Sequence, residues 1–312
     1  MIKSETLRYK EGGGVEVVGI EVPDPGPKEV QVRGTVCGIC AWDLYTFKQG
    51  SNAPYAAPPG HEGVGYVSKV GSDVEGVKEG DRVVGVGFTR DYNMDAAELH
   101  FIPDDDTPDE HWIVEPVSCI VTGLDRSEVR AGDRVALIGC GFMGLIFLQG
   151  LARSPIAELT AIDIQQDRLA LAKSLGATET LNPKADDFEE RLEAIKAREI
   201  DLVVDCTGVQ QGIDTATRLI KRGGRIVLFG WDHGRASFDG DAWHTGGYTV
   251  VNASPSARVR EVFEPAIRMM SAGLIDLEPL VTHVVPLEEA GELMKQVTEG
   301  EAPDYIKGVI TL

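Results

Sequence analysis

Arg134-Val135-Ala136-Leu137-Ile138-Gly139-Cys140-Gly141-Phe142-Met143-Gly144 is the stretch on which the fold turns. A short apolar run meets a G-x-G-x-x-G pattern made by Gly139, Gly141 and Gly144, and a second apolar run over residues 142–152 reads as a helix. A glycine pattern alone is common; a strand before it and a helix after it give it meaning. The first glycine permits a tight turn, the second lets a pyrophosphate approach the backbone, and the third lets helix and sheet pack closely. The helix N-terminus, with Phe142 and Met143 in its first turn, adds N–H donors and positive potential. The competing reading is a glycine turn that serves packing alone.

Downstream, residues 159–162 read as a strand, 166–175 as an amphipathic helix, 201–204 as a strand, 213–220 as a helix, and 225–229 as a strand behind the Gly223-Gly224 turn. Strand then helix, repeated with right-handed crossovers, means a doubly wound parallel sheet of the Rossmann kind. Asp163 closes the strand after the glycines, where a carboxylate accepts from ribose hydroxyls and repels a 2′-phosphate, favouring NAD over NADP. Arg168 either lies over the adenine or pairs with Asp163, or is a solvated helix residue. Cys206-Thr207-Gly208 and Phe229-Gly230 follow two later strands, at the edge where such sheets bind ligand. Thr207 and Gly230 are candidates to touch the nicotinamide half, although turn chemistry alone also explains the glycines.

Upstream the rhythm differs. Residues 1–117 alternate short β-rich runs (29–36, 63–70, 82–86) with glycine and proline, which reads as an all-β or barrel-like unit. Past about residue 252 come a helix over 259–270, an extended segment at 281–285, a helix over 287–297 and a last strand over 306–311, read as a return to the first unit. The expected division is 1–116, 117–252 and 253–312. The acidic stretch 104–110 reads as a solvated loop, with a dedicated cation site as the alternative.

At 312 residues and 43% hydrophobic content, the chain has enough apolar material for two domains. Its net charge of -20, from 50 acidic and 30 basic residues, argues against nucleic acid or an anionic membrane as the main partner. Life in high salt is a second source of such an excess. No apolar run reaches membrane-spanning length and the N-terminus lacks a signal-peptide layout, so a cytoplasmic protein is expected. The five scattered cysteines fit a reducing compartment.

Cys37-Gly38-Ile39-Cys40-Ala41-Trp42-Asp43 has three readings: a redox pair, half of a four-cysteine zinc site, or one metal ligand beside a structural neighbour. No second C-x-x-C exists to complete a four-cysteine site, and no thioredoxin-like strand and helix frames the pair. Gly60-His61-Glu62-Gly63 follows in the same β-rich unit, with Glu115-Pro116 near its end. Cysteine, histidine and carboxylate together suit a zinc ion with one exchangeable position. Singly, His61 reads as a structural histidine and Glu62 as an exposed carboxylate.

Over almost its whole length the sequence resembles the zinc-containing medium-chain dehydrogenases, most of all the sorbitol and threonine dehydrogenase branch. The resemblance implies a GroES-like β-rich catalytic domain beside the Rossmann domain. It implies zinc ligands at Cys40, His61 and Glu62, and at Glu115 directly or through water. It gives Asp43 the part of orienting the histidine, a role that fixes the imidazole tautomer, and makes Cys37 a bystander. It further implies a homodimer or homotetramer, with residues 247–253 as the candidate pairing edge. Two departures stand out. No cysteine lies in residues 81–98, where the family often carries a four-cysteine lobe, so one zinc per chain is expected. The Ser or Thr that usually follows the zinc cysteine by two positions is here Trp42, whose indole cannot accept a proton. Glu62 is then the expected proton acceptor, and Trp42 shapes the pocket.

The implied activity is hydride transfer between a secondary alcohol or polyol and NAD, with zinc acidifying the hydroxyl. Two rivals are a zinc-free NADPH quinone or enoyl reductase of the same superfamily and a non-enzymatic NAD-binding protein.

Overall fold

In the computed structural model, which describes residues 1–56, 58–231 and 234–312, the chain separates into two units, Met1–Pro116 with Leu277–Leu312, and Val117–Asp276. The first begins with the hairpin β1 (Ile2–Tyr9) and β2 (Val15–Val22), then β3 (Glu29–Gly38), α1 (Ala41–Gln49), β4 (Glu62–Val70), β5 (Arg82–Gly85) and β6 (Asp91–Asp95). Helix α2 (Val114–Ser127) starts here and runs on past Pro116. The second unit holds β7 (Arg134–Ile138), α3 (Phe142–Ala152), β8 (Glu158–Ile162), α4 (Gln166–Ser174), β9 (Glu179–Leu181), α5 (Phe188–Lys196) and β10 (Ile200–Asp205). It continues through α6 (Gln210–Leu219), β11 (Ile220–Leu228), α7 (Gly240–Gly246), β12 (Thr249–Asn252) and α8 (Phe263–Ser271). The chain then returns with β13 (His283–Pro286), α9 (Ala290–Glu299) and β14 (Gly308–Thr311).

In the first unit the strand order is β13-β14-β3-β4-β5, with β6 also on β3. Every pair is antiparallel except β13 with β14. Val30 and Val32 share one core with Val67, Val83 and Leu99, while Cys37 and Ile39 join Leu7, Tyr9 and Phe88 in another. That second core is closed by Leu287, Leu293 and Met294, so burial of this apolar face draws the C-terminal segment back. Helix α1 makes residues 1–116 less purely β than their sequence suggests, whereas α9 falls in the segment expected to return to this unit.

The second unit is a six-stranded sheet, β12-β11-β10-β7-β8-β9, parallel throughout. Helix α3 is buried on almost every side, from Gly144 through Leu151, which explains why its sequence is a continuous apolar run rather than a stripe. Gly223, at φ 71°, sits where the β10–β11 ladder shifts register, so regular pairing resumes only at Arg225.

The return begins at Leu277, not at residue 253. The intervening segment is bound into the second unit: the Gln149 side chain donates to Asp276 O at 2.9 Å and accepts from Asp276 N at 2.8 Å, and Arg260 pairs with Asp125 at 2.6 Å. Helix α8 starts at Phe263 rather than 259 because the Glu261 carboxylate accepts the N–H groups of Phe263 (2.6 Å) and Glu264 (3.2 Å) and caps it there. Among the described residues no helix is long and apolar enough to cross a membrane.

Candidate metal centre and dinucleotide site

Strand pairing builds the candidate metal centre. Glu62, the first residue of β4, lies opposite Gly38 near the end of β3, so the chain just past β3 and the chain just before β4 meet. Cys40 is the N-cap of α1, and the Asp43 carboxylate accepts the Cys40 N–H at 2.7 Å. Gly60, at φ 74°, must be glycine: a Cβ there would stand 2.8 Å from Phe88 N and 3.0 Å from Cys37 Sγ. The outcome is that one donor atom each of Cys40, His61 and Glu62 lie within 4.8 Å of one another. Donors at zinc-ligand distances around one tetrahedral ion stand about 3.3–3.8 Å apart, so this set fits zinc with small adjustments.

Asp43 is fully buried, and its partners differ from those the family resemblance implies. Oδ2 takes the Cys40 N–H; Oδ1 takes the Gly60 N–H at 3.1 Å and the Tyr9 hydroxyl at 2.8 Å. One carboxylate thereby fixes the backbone ahead of both Cys40 and His61. Its link to the imidazole is one of charge: burial raises the Asp43 carboxyl above its ordinary value, and His61 is the largest influence opposing that rise. Cys37 is buried beside Gly60, as a bystander would be. Trp42 is 43% exposed, and its backbone hydrogen-bonds the Cys40 sulfur.

A residue absent from the sequence-level site completes the centre. Lys307, immediately before β14, is buried with its ammonium paired to Glu62 Oε2 and donating to Ile39 O at 2.8 Å. Burial alone would lower the Lys307 pKa, but the Glu62 charge, followed by Cys40 and Tyr305, outweighs it and pushes the pKa up. Burial pushes the Cys40 thiol well above its ordinary range, with Glu62 adding to the rise and Lys307 opposing it. The only sequence signal for Lys307 is a lone charge within the otherwise apolar Ile306-Lys307-Gly308-Val309-Ile310. Glu115 is half-buried in the first turn of α2 and is not part of the three-donor group.

The glycine turn of the second unit has the tight turn and the close packing its sequence leads one to expect. Gly139 has φ 93°, a Cβ on Gly144 would stand 1.9 Å from Gly139 O, and a Cβ on Gly141 would meet nothing within 4 Å. The outer glycines are thus required by the turn and by packing, while the middle one faces open space, as a cradle for a pyrophosphate needs. Gly141 is the N-cap of α3 and brings no side chain to its first-turn N–H groups, those near Phe142 and Met143. Asp163 accepts the Cys140 N–H at 2.7 Å and the Gln165 N–H at 2.8 Å, which fixes its carboxylate at the carboxyl end of β8. Burial pushes the Cys140 thiol up to about 12, Asp163 adding and Arg168 opposing, so both charges flank the turn. Thr207 Oγ1 donates to Asp205 at 2.7 Å. A Cβ on Gly230 would stand 2.3 Å from Gly208 N, so turn packing by itself requires glycine at 230.

A unit with a convergent cysteine, histidine and carboxylate, joined in one chain to a parallel sheet with a dinucleotide cradle, defines a two-domain dehydrogenase. Residues 26–100 match the family model of the alcohol dehydrogenase GroES-like domain and residues 143–272 that of the zinc-binding dehydrogenases. Sorbitol dehydrogenase of Gallus gallus is 28% identical over 93% of this chain and 92% of its own. An Escherichia coli oxidoreductase/dehydrogenase of unknown specificity superposes with a TM-score of 0.89 at 24% identity, covering 99% of both chains. A structure described as a zinc-binding dehydrogenase from Sinorhizobium meliloti 1021, bound to NADP, gives 0.87 at 23% identity over 100% of both. The chain belongs to the zinc-type medium-chain dehydrogenase family and is an oxidoreductase with a pyridine-nucleotide fold.

Proposed function

We propose that this protein is a cytoplasmic, NAD-linked dehydrogenase of secondary alcohols or polyols that carries one catalytic zinc ion per chain. The observation that carries the reading is the meeting of Cys40, His61 and Glu62 at one point. Bound there, zinc supplies a Lewis acid toward an alcohol hydroxyl, and NAD accepts the hydride. Cys40, His61 and Glu62 would hold the ion, with Glu115 a further ligand directly or through water, and Asp43 fixes the backbone of both ligand arms. Similarity to sorbitol dehydrogenase supports a polyol, sugar alcohol or cyclitol as substrate.

The carboxylate of Asp163, held by two backbone donors, supports NAD, because a 2′-phosphate would meet its charge. Arg168 lies on the adenosine side, and Thr207 and Gly230 on the nicotinamide side. Glu62 as proton acceptor meets a competitor in Lys307, which faces Oε2, so that role requires the ion pair to open. Trp42, partly exposed beside Cys40, limits the substrate near the ion. Strand β12 is an edge of its sheet, which supports residues 247–253 as the pairing edge of a homodimer, alone or within a homotetramer.

The test is reduction of NAD and of NADP across polyols, cyclitols, sugars, threonine and simple secondary alcohols, before and after a chelator. The proposal expects at least one polyol or secondary alcohol to be oxidised with NAD and the activity to vanish with the metal. Turnover that survives complete metal removal would point instead to a zinc-free reductase.

A further inference from the structure

Two acids in the stretch 104–110, Asp105 and Asp109, do not simply face solvent. They turn onto a cation that the chain itself supplies. Arg82, the first residue of β5, is 4% exposed. Its Nε donates to Asp109 Oδ1 at 2.8 Å, Nη1 to Pro103 O at 3.0 Å and Asp105 Oδ1 at 3.2 Å, and Nη2 to Thr107 O at 2.8 Å. The Trp112 ring lies 5.8 Å from the guanidinium carbon, and its indole N–H donates to Asp105 Oδ1 at 3.1 Å. Asp109 is held from two strands as well, by the hydroxyls of Thr35 at 2.5 Å and Tyr66 at 3.3 Å. Residues 103–112, whose only regular structure is the single turn Asp109–His111, are therefore gathered around one buried guanidinium. A planar fork of N–H donors suits this task; a lysine ammonium does not.

The next residues lead into the metal centre. Trp112, Ile113 and Val114 are buried, and Glu115 follows in the first turn of α2. Ile113 Cδ1 comes within 3.2 Å of the point where a Cβ on Gly38 would stand, a point also 3.0 Å from Lys307 Cε and 2.2 Å from Glu62 Oε2. The end of the Arg82-bound segment thus abuts the Glu62–Lys307 pair.

We propose that Arg82 is a positioning residue of the metal centre: as an internal cation it fixes residues 103–112 and so sets Ile113 and Glu115 against Cys40, His61 and Glu62. This rests on the zinc reading above. The test is zinc affinity, by competition with a chromophoric chelator, for wild type, Arg82→Lys, Arg82→Ala and Asp109→Asn, each also in a Glu115→Gln background. The visible spectrum of the cobalt-substituted forms is recorded in parallel. Arg82→Ala should weaken zinc about tenfold or more, the usual scale for a residue that supports ligands from behind. Arg82→Lys should recover little of that, while millimolar guanidinium should restore Arg82→Ala in part. In the Glu115→Gln background the loss should fall below about threefold, and the cobalt band should shift in the Arg82 variants only while Glu115 is present. Equal losses in both backgrounds, or affinities within twofold of wild type for Arg82→Lys and Asp109→Asn, would overturn the proposal. Should Arg82→Ala not fold, those two milder variants decide it. Failure of the zinc reading looks different: the wild type itself would bind no stoichiometric zinc.

Discussion

Replacing Lys307 by methionine isolates the electrostatics of the metal centre. The lysine and Glu62 side chains are 3% and 2% exposed, so neither charge has water to fall back on. Methionine keeps most of the buried stem and removes the ammonium, leaving the Glu62 carboxylate and the Ile39 carbonyl without that donor. Breaking one side of a buried pair costs about 3–5 kcal/mol. At about 2–4 °C per kcal/mol for a folding unit of this size, metal-free Lys307→Met should melt roughly 6–20 °C below metal-free wild type. Zinc brings positive charge to the same carboxylate, so it should raise the Tm of the variant more than that of the wild type. The double variant Lys307→Met/Glu62→Gln carries no buried charge there and should recover most of the metal-free loss. The assay is thermal unfolding by circular dichroism of chelator-treated and zinc-loaded samples of the three proteins. If metal-free Lys307→Met lies within about 1 kcal/mol of wild type, the pair is not the isolated buried one described, and the reasoning fails.

Asp163→Ala should weaken NAD and improve NADP, since it removes both a ribose acceptor and a charge facing the 2′-phosphate; comparable kcat/KM for both cofactors in the wild type would refute that assignment. Burial alone would raise the Glu179 carboxyl, but the hydrogen bond and charge of Arg198, then Arg191, outweigh it and hold it below its ordinary 4.5. A carboxyl depressed by folding adds stability that is complete above its unfolded pKa and is lost as pH falls through the folded one. Urea midpoints of the wild type should therefore drop below about pH 4.5, more steeply than those of Arg198→Met; parallel curves would remove Glu179 as the cause. Light scattering at micromolar concentration should show a dimer or tetramer, and a monomer would remove the β12 edge as an interface.

What the sequence disclosed followed from local physics. The run into Gly139-Cys140-Gly141 marks β7 and α3 at their observed bounds, Arg134–Ile138 and Phe142–Ala152, because strand, glycine turn and buried helix each leave a local pattern. Cys40, His61 and Glu62 were legible as candidate metal donors through their residue types, and β3–β4 pairing is what makes them meet. The features that stayed hidden depend on partners far along the chain. Lys307 gives no sign of being buried until Glu62 is seen opposite it, 245 positions away, and Asp105 and Asp109 read as solvated until Arg82 is placed among them. The return point at Leu277 was missed for the same reason, since Gln149 holds Asp276 across 127 positions.

The central claim is that catalysis runs through one metal ion held by Cys40, His61 and Glu62. The most direct measurement is to add zinc in known increments to chelator-stripped protein and follow NADH formation from the best alcohol substrate. Activity should rise linearly and level off at one zinc per chain, and Cys40→Ala should show neither tight zinc binding nor activity at any addition. Full activity in the stripped protein, or a break at two zinc ions per chain, would contradict the account.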